Sequence, residues 1–492
     1  MPQETSPARA FPFWPVLLAT LGLLGCSTGV APPRQPLDLE LPAEWSAAPV
    51  PDDAAPADAA DAWWDSFGDP KLSALVDEAL TNNHDLEAAA QRLRQAEARA
   101  RISGADLAPQ LSAGFDGSRA RRNFIGLPIP GSAGSVLSTT STSLGVSLNV
   151  SWEADLWGRL RSRRQAAEAE LEAARWDLEA AHLSLAGQVA KAWFALVEAR
   201  EQVRLAEETS ENRRLTRRQV QRRYELGLRG PVDLRLAASN EAAAEATLAA
   251  RRRQLDATQR QLEILLGRYP VAGLHSEGLL PSPPRPVEAG LPADLVTRRP
   301  DLRAAERRLS AAGARVAEAR AALYPALRLT GSAGRISEEL EDLLSGDFSV
   351  WSLASGLLQP IFQGGRLKAG VELSAAAADE ALARYVQASL AAFAEVETTL
   401  AAEGFLRLQE ESLERAVEHA AAAQETAQRR YGSGLAEVLE VLESQRQAFQ
   451  LQSQLLDVRR QRLAARIDLH LALGGGVPPK TGEAQETVPS SR

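Results

Sequence analysis

Two carboxylates three residues apart, Glu440 and Glu443, are the side chains of this sequence best placed for chemistry. They follow Leu439 and precede Arg446, and spacings of three, four and seven put Leu439, Glu443 and Arg446 on one face of a helix. Paired acids can carry general acid–base catalysis, but no other catalytic group accompanies these two. The five histidines, His84, His182, His275, His419 and His470, are scattered and show no HExxH or paired metal-ligand spacing. A phosphate-binding loop, a G-x-S-x-G elbow and a dinucleotide fingerprint are all missing. The sequence therefore points away from an enzyme, with no catalytic residue, cofactor or metal site expected. Two readings of the acids stand side by side. Either they favour a helix amino terminus and pair with neighbouring arginines, or they line a narrow passage, where clustered carboxylates attract cations, repel one another and so tend to rise in pKa.

Cys26 is the other reactive side chain and the only cysteine in 492 residues, which excludes an intrachain disulfide and a cysteine zinc cluster. Residues 11–24, FPFWPVLLATLGLL, form an apolar run of signal-peptide length that is short for a membrane span. It follows Arg9 and ends at Leu23-Leu24-Gly25-Cys26, which resembles a bacterial lipobox. There the thiol is the nucleophile that takes a diacylglyceryl group, and the small Gly25 admits the peptidase. Residues 1–25 are thus expected to be a lipoprotein signal peptide, with Cys26 the acylated first residue of the mature chain. Ser27 follows instead of an inner-membrane retention aspartate, so sorting to the outer membrane is expected. Residues 26–62, rich in proline, alanine and aspartate, read as an extended tether, and residues 477–492 as a disordered tail.

The elements that must position Glu440 and Glu443 come from a repeat. Asp85, Leu86, Arg92, Leu93, Arg99 and Pro109 recur 216 residues later as Asp301, Leu302, Arg308, Leu309, Arg315 and Pro325. The offset then becomes 207, pairing Arg159 with Arg366, Tyr224 with Tyr431, Gly227 with Gly434, and Leu266-Gly267 with Leu473-Gly474. Matched glycine, tyrosine and proline in order mark two copies of one unit. The first repeat is expected over 63–272 and the second over 293–476, joined by a linker at 273–292. Each reads helix, strand, loop, strand, long helix, tight turn, helix.

In the first copy a helix is expected over about 73–106, strands over 111–119 and 142–152, a long helix over 159–226 and a further helix over 231–266. The second copy gives strands at 327–334 and 349–358, a long helix at 366–431 and a helix at 437–473. Thr142, Leu144, Val146, Leu148, Val150 and Trp152 alternate with small polar residues, the period of a strand with one apolar face. Between the first pair of strands, RARRNFIGLPIPGSAGSVLSTTS has the composition of an exposed loop. The long helix would measure about 100 Å. It carries two apolar columns, one through Leu171, Leu178 and Leu185 and one through Trp176, Leu183 and Ala190, which calls for neighbours on two sides, as in the wall of a cylinder.

Composition agrees. Apolar residues make up 45% of the chain but aromatics only 5%, so alanine and leucine carry the packing. The net charge of −9 argues against nucleic acid as a partner. Strands of roughly nine to eleven residues are long enough to cross an outer membrane. Four alone would leave two open edges in lipid with unpaired backbone groups, so the sheet must close by association. A dimer would give eight strands and a barrel filled by its own side chains, whereas a trimer would give twelve and room for a duct.

On these residues the chain resembles the TolC-type outer-membrane efflux family, in its OprM- and NodT-like lipoprotein branch. The markers are Trp63-Trp64 with Phe67, Asp69-Pro70 and Leu72; Asn83 with Asp85-Leu86; Arg299-Pro300-Asp301-Leu302; Tyr324-Pro325; Gly364-Gly365-Arg366; Tyr431 with Gly434; and Ala472-Leu473-Gly474-Gly475-Gly476. The resemblance implies a mainly α fold with a β-barrel contribution. Four transmembrane strands per chain close a homotrimeric 12-stranded barrel that continues into a long periplasmic α-helical barrel. It implies a passive exit duct in the outer membrane, lipid-anchored and extending into the periplasm. The implied partners are a periplasmic membrane-fusion (adaptor) protein and an inner-membrane pump of the resistance-nodulation-division type. The alternative is a periplasmic coiled-coil adaptor or structural lipoprotein without a conducting pore, which would yield neither SDS-resistant trimers nor single-channel conductance.

The resemblance also assigns residues. Aligned on Tyr431 and Gly434, the positions that constrict the periplasmic end are Leu439, Glu440, Glu443 and Arg446, with Tyr431 reaching toward Asp233 on the other hairpin. Ala436 stands where the type member of the family has an arginine, so that inter-hairpin lock is absent and closure is expected to lean on Leu439 and on Glu443 with Arg446. The tips themselves, Gly227, Leu228, Gly230, Gly432, Ser433, Gly434 and Leu435, are small or apolar residues at exposed turns, suited to adaptor docking as well as to ending helices.

Overall fold

The computed structural model describes residues 45–47, 62–124, 137–276, 278–284 and 292–475. Cys26, the signal peptide, the rest of the tether and the carboxy-terminal tail lie outside the described residues. The chain divides into two units, one formed by Gln95–Glu172 with Arg307–Ala383 and one by the described residues of Asp38–Arg94, Ala173–Glu306 and Arg384–Arg492. In chain order the helices and strands are α1 (Pro70–Asn82), α2 (His84–Ala105), β1 (Gln110–Phe124), β2 (Leu137–Ala154), α3 (Arg159–Glu225), α4 (Pro231–Leu265), α5 (Pro292–Arg298), α6 (Pro300–Ala321), β3 (Ala326–Ser337), β4 (Ser349–Leu358), α7 (Arg366–Gly432) and α8 (Val438–Ala472). The repeat is visible in the helix lengths: α3 and α7 have 67 residues each, and α4 and α8 have 35.

The first unit is built on an antiparallel sheet in the order β1-β2-β3-β4. Directly paired residues share a face, so the register sorts the side chains. One face carries Leu111, Ala113 and Phe115 opposite Val150, Leu148 and Val146. It continues through Leu329 and Ala333 on β3 to Leu353, Trp351 and Leu357 on β4. The other face carries Ser112, Gly114 and Ser118 opposite Asn149, Ser147 and Ser143. β1, β2 and β3 run beyond the spans expected from alternation. Backbone pairing does not need alternation, and Arg119 to Asn123 pair with Thr142 to Ser138 although all but Ala120 of these residues are polar. The segment read as a loop is thus strand at both ends, and the rest of it, residues 125–136, lies outside the described residues.

Where the strands give way to helices, Asp155 accepts the Leu160 and Arg161 N–H groups at 3.0 and 2.9 Å and so caps the start of α3. Trp157 stacks on Tyr324 with ring centroids 5.0 Å apart and donates its indole N–H to the Pro325 carbonyl at 2.9 Å.

In the second unit the largest apolar cluster joins Trp63, Trp64 and Phe67 to Leu72 and Val76 of α1, Val189, Trp193 and Phe194 of α3, Leu262 of α4, and Leu463 and Ile467 of α8. The helix expected over 73–106 starts earlier, at Pro70, and is broken at Asn83. Asp69 caps α1 by accepting the Lys71 N–H at 2.9 Å. Asn83 ends α1 and caps α2, its Oδ1 accepting from Asp85 and Leu86 at 2.9 and 3.0 Å while its Nδ2 donates to the Leu265 carbonyl at 2.9 Å. Such caps each contribute about 1 kcal/mol. The tether is also less free than its composition suggests. Trp45 is buried against Phe393, and the Ser46 and Ala47 N–H groups donate to Glu397 at 2.8 and 2.9 Å.

Candidate functional site

The candidate site lies in the second unit, where two helical hairpins, α3–α4 and α7–α8, bring their turns together. The turns are the same structure. Gly227 N–H bonds the Tyr224 carbonyl at 2.9 Å and Leu228 N–H that of Arg223 at 2.8 Å; Gly434 and Leu435 repeat this on Tyr431 and Arg430 at 3.0 and 2.8 Å. Gly227 and Gly434 take φ of 67° and 80°, a left-handed conformation that closes the helix end and favours glycine. The backbone alone therefore explains the glycines. It does not explain the leucines. In turns of this type the residue after the glycine commonly packs back on its helix, yet Leu228 and Leu435 are 67% and 72% exposed. Gly230, Gly432 and Ser433 are exposed beside them.

Behind the turns, Val220, Ala237, Tyr431, Ala436, Val438, Val441 and Leu442 form a small buried core. Tyr431 sits at its centre with only 1% of its surface exposed. The Arg223 guanidinium lies 4.3 Å from its ring centroid and that of Arg229 5.8 Å away, a cation–π arrangement that ties the first hairpin to the second. Burial pushes the Tyr431 phenol up, the two arginines oppose this, and the charge of Asp233 adds to it. The expected contact of Tyr431 with Asp233 is not a hydrogen bond, and Asp233 acts on the phenol through its charge alone. Asp233 instead occupies the first turn of α4, where its charge suits the helix dipole.

The start of α8 divides into two faces. Val438, Val441, Leu442, Gln445 and Ala448 are buried, whereas Leu439, Glu440, Glu443 and Arg446 are all exposed. The core takes every third or fourth residue, so Leu439, Glu440, Glu443 and Arg446 share the opposite face. On it Arg446 grips Glu443, with one contact of 3.0 Å, and reaches Gln450 at 3.0 Å. Arg430 approaches Glu440 at 3.9 Å. The hydrogen bonds from Arg446 hold the Glu443 carboxyl below the usual carboxylate range, opposite in direction to the rise expected for crowded acids.

Residues that sequence reasoning passed over hold the hairpins together. Arg229 donates to Glu437 at 2.5 Å and to the Ala436 carbonyl at 3.3 Å, and Arg223 donates to the Gly432 carbonyl at 2.9 Å. An arginine thus does bridge the hairpins, but it comes from the first turn instead of position 436. Deeper in, Arg213 of α3 is buried and donates to the Leu442 carbonyl and to Gln445 at 3.0 and 2.9 Å, while Gln445 donates to Thr216 at 3.2 Å. Desolvation pushes the Arg213 pKa down. The repeat supplied one clue: Arg223 and Arg229 flank the first glycine turn, where the 207-residue offset puts Arg430 and Ala436.

The chain as a whole is similar to known proteins. A family sequence model described as "Outer membrane efflux protein" matches residues 75–268 and 291–475. The chain is 37% identical over 470 residues to the pyoverdine export outer membrane protein OpmQ of Pseudomonas putida, covering 94% of this chain and 97% of that one. It is 34% identical over 464 residues to the outer membrane protein OprJ of Pseudomonas aeruginosa, covering 94% and 95%. Among solved structures it resembles the outer-membrane channel OprN, with a TM-score of 0.81 at 28% identity over 89% of this chain and 97% of that one. It also resembles the open state of the MtrE outer membrane channel of Neisseria gonorrhoeae, with a TM-score of 0.76 at 29% identity over 89% and 96%.

Proposed function

The chain belongs to the outer membrane efflux protein family, and from that premise we propose how it works as an efflux channel of the outer membrane: as a passive homotrimeric duct that a periplasmic adaptor opens at its tips. The sheet carries this reading. β1 and β4 each pair on one side only within the chain, and a strand edge in hydrocarbon leaves backbone groups unbonded at several kcal/mol each. Joining β1 of one copy to β4 of the next removes every edge, and three copies give twelve strands with their small polar face lining a wet lumen. Energy enters from elsewhere, by way of an inner-membrane pump of the resistance-nodulation-division type.

In such a trimer the exposed face of α8 turns toward the axis, so Leu439, Glu440, Glu443 and Arg446 from three copies form the constriction. The exposed Leu228 and Leu435, with the glycines around them, form the docking surface. An adaptor that covers these leucines removes apolar surface from water, worth roughly 1.5–3 kcal/mol for each side chain fully buried. That is enough to offset loss of the weak exposed contacts between the hairpins. Cys26 carries the lipid anchor, on the strength of the Leu23-Leu24-Gly25-Cys26 sequence. The deciding experiment is purification in detergent followed by planar-bilayer recording. SDS-resistant trimers that conduct are expected, and a non-conducting monomer would overturn the duct. Photocrosslinking from Leu228 and Leu435 is expected to capture an adaptor.

A further inference from the structure

Along β1 and β2 the apolar face of the sheet changes character at a single row. Phe115 opposite Val146 and Gly117 opposite Leu144 are followed on the same face by Arg119 opposite Thr142 and Arg121 opposite Thr140. On β2 the apolar run from Leu144 to Trp152 rises about 27 Å along the strand, which at the tilt of a barrel covers most of an apolar band about 25 Å tall. Arg119 and Arg121 therefore stand just past the edge of that band, at the hairpin end of the sheet, on the face that must meet lipid.

Both arginines are exposed. Arg121 gives one N–H to Ser138 Oγ at 2.8 Å, which steadies one arm of its fork and leaves the rest free. No carboxylate among the described residues pairs with either guanidinium, and the one acid of β1, Asp116, lies opposite Gly145 on the other face. The chain as a whole carries −9, so two adjacent uncompensated cations on a lipid-facing surface stand against its overall charge. By contrast Arg335, on the same face of β3, is occupied by the Leu343 carbonyl at 2.9 Å.

We propose that Arg119 and Arg121 bind the phosphate groups of an anionic glycolipid in the outer leaflet of the membrane. Residues two apart on a strand are about 7 Å apart, a spacing at which two guanidinium forks bracket a phosphate with charge-assisted bonds. A lipid, and not free phosphate, is the occupant because the site continues an apolar wall: acyl chains lie along Phe115, Val146 and Leu148 while the headgroup meets the arginines. This rests on the outer-membrane channel reading.

The test titrates the purified full-length protein with bis-phosphorylated lipid A and counts bound lipid by native mass spectrometry. The wild-type protein is expected to retain lipid A and the R119Q/R121Q variant to hold it roughly tenfold or more weakly. R122Q, which changes an arginine of the opposite face, should bind as wild type. Should the double variant misfold, R119Q and R121Q singly are each expected to weaken binding several-fold. Equal binding by the double variant, equal binding of dephosphorylated lipid A, or displacement of the lipid by millimolar inorganic phosphate would overturn the proposal. Planar-bilayer conductance read in parallel separates the two ideas: a conducting protein indifferent to lipid A sinks the site alone, and a non-conducting wild type sinks the channel.

Discussion

Arg229 on the first tip reaches Glu437 at the root of α8, Nη1 to Oε2 at 2.5 Å, while its Nη2 donates to the Ala436 carbonyl at 3.3 Å. One side chain thus ties together the two hairpins, whose separation opens the duct in the mechanism proposed above. Glu437 is 68% exposed, so the pair is worth only about 0.2–1 kcal/mol. Arg229→Ala is expected to shift the open-to-closed ratio by roughly 1.4- to 5-fold per protomer in single-channel recordings. A variant as closed as wild type would remove Arg229 from the closing contacts.

Replacing both carboxylates of the proposed constriction should act more strongly. Glu440→Ala with Glu443→Ala removes two acids from each copy and frees Arg446, so conductance should rise and cation preference fall. Both quantities are read in planar bilayers under a salt gradient. If both stay as in wild type, the exposed face of α8 is not the constriction.

The pH response of the proposed constriction follows from the Glu443–Arg446 pair. Glu443 is depressed in the folded chain, so its pairing is fully present above the ordinary carboxylate value of about 4.3 and is lost only as pH falls through its lower folded value. Between about pH 5 and pH 8 no opening transition should arise from this pair. Recordings across that range check it, and a transition near neutrality would require a different titrating group.

His470 should dominate a separate acid sensitivity, that of stability. It stacks on Trp63 at 5.2 Å, and burial, helped by Arg466, pushes its pKa down to about 4. Unfolding restores an ordinary value near 6.5, so the unfolded chain binds the extra proton. Stability is full above about pH 6.5 and falls as pH drops toward about 4, by at most about 3 kcal/mol. In thermal melts over this range the wild type should lose stability relative to His470→Phe as pH falls toward about 4, and parallel curves would contradict it.

Gly267 is expected to be the most sensitive glycine of the helix ends. Its φ is 72°, and an added Cβ would lie 2.4 Å from the Asn82 carbonyl oxygen. Gly267→Ala should cost about 1–3 kcal/mol and lower the melting temperature. Gly230→Ala, with nothing within 4 Å, should melt near wild type.

Much of this structure can be read from local sequence. The alternation from Thr142 to Trp152 names a strand and its faces, and the recurrence of Tyr224 and Gly227 as Tyr431 and Gly434 names two equivalent turns. Asn83 was less legible. It sits in an unbroken helical pattern, and what ends α1 there is a side chain that both caps α2 and bonds Leu265, 182 residues away. The site divides the same way. Leu439, Glu440, Glu443 and Arg446 follow from helical spacing and family resemblance, but the partner of Tyr431 does not, because an acid at the aligned position says nothing of where two guanidiniums come to rest.

The sequence alone determined the order of the strands and long helices, the doubled unit, the open-edged sheet and the glycine turns, since each is set by residues within a few positions of one another or by a repeat along the chain. Only the tertiary structure decided that Arg223 and Arg229 cover Tyr431 and that Arg229 binds Glu437 208 residues away. Periodicity says which way a side chain faces, but the partner it meets is fixed by packing between segments that the sequence keeps far apart.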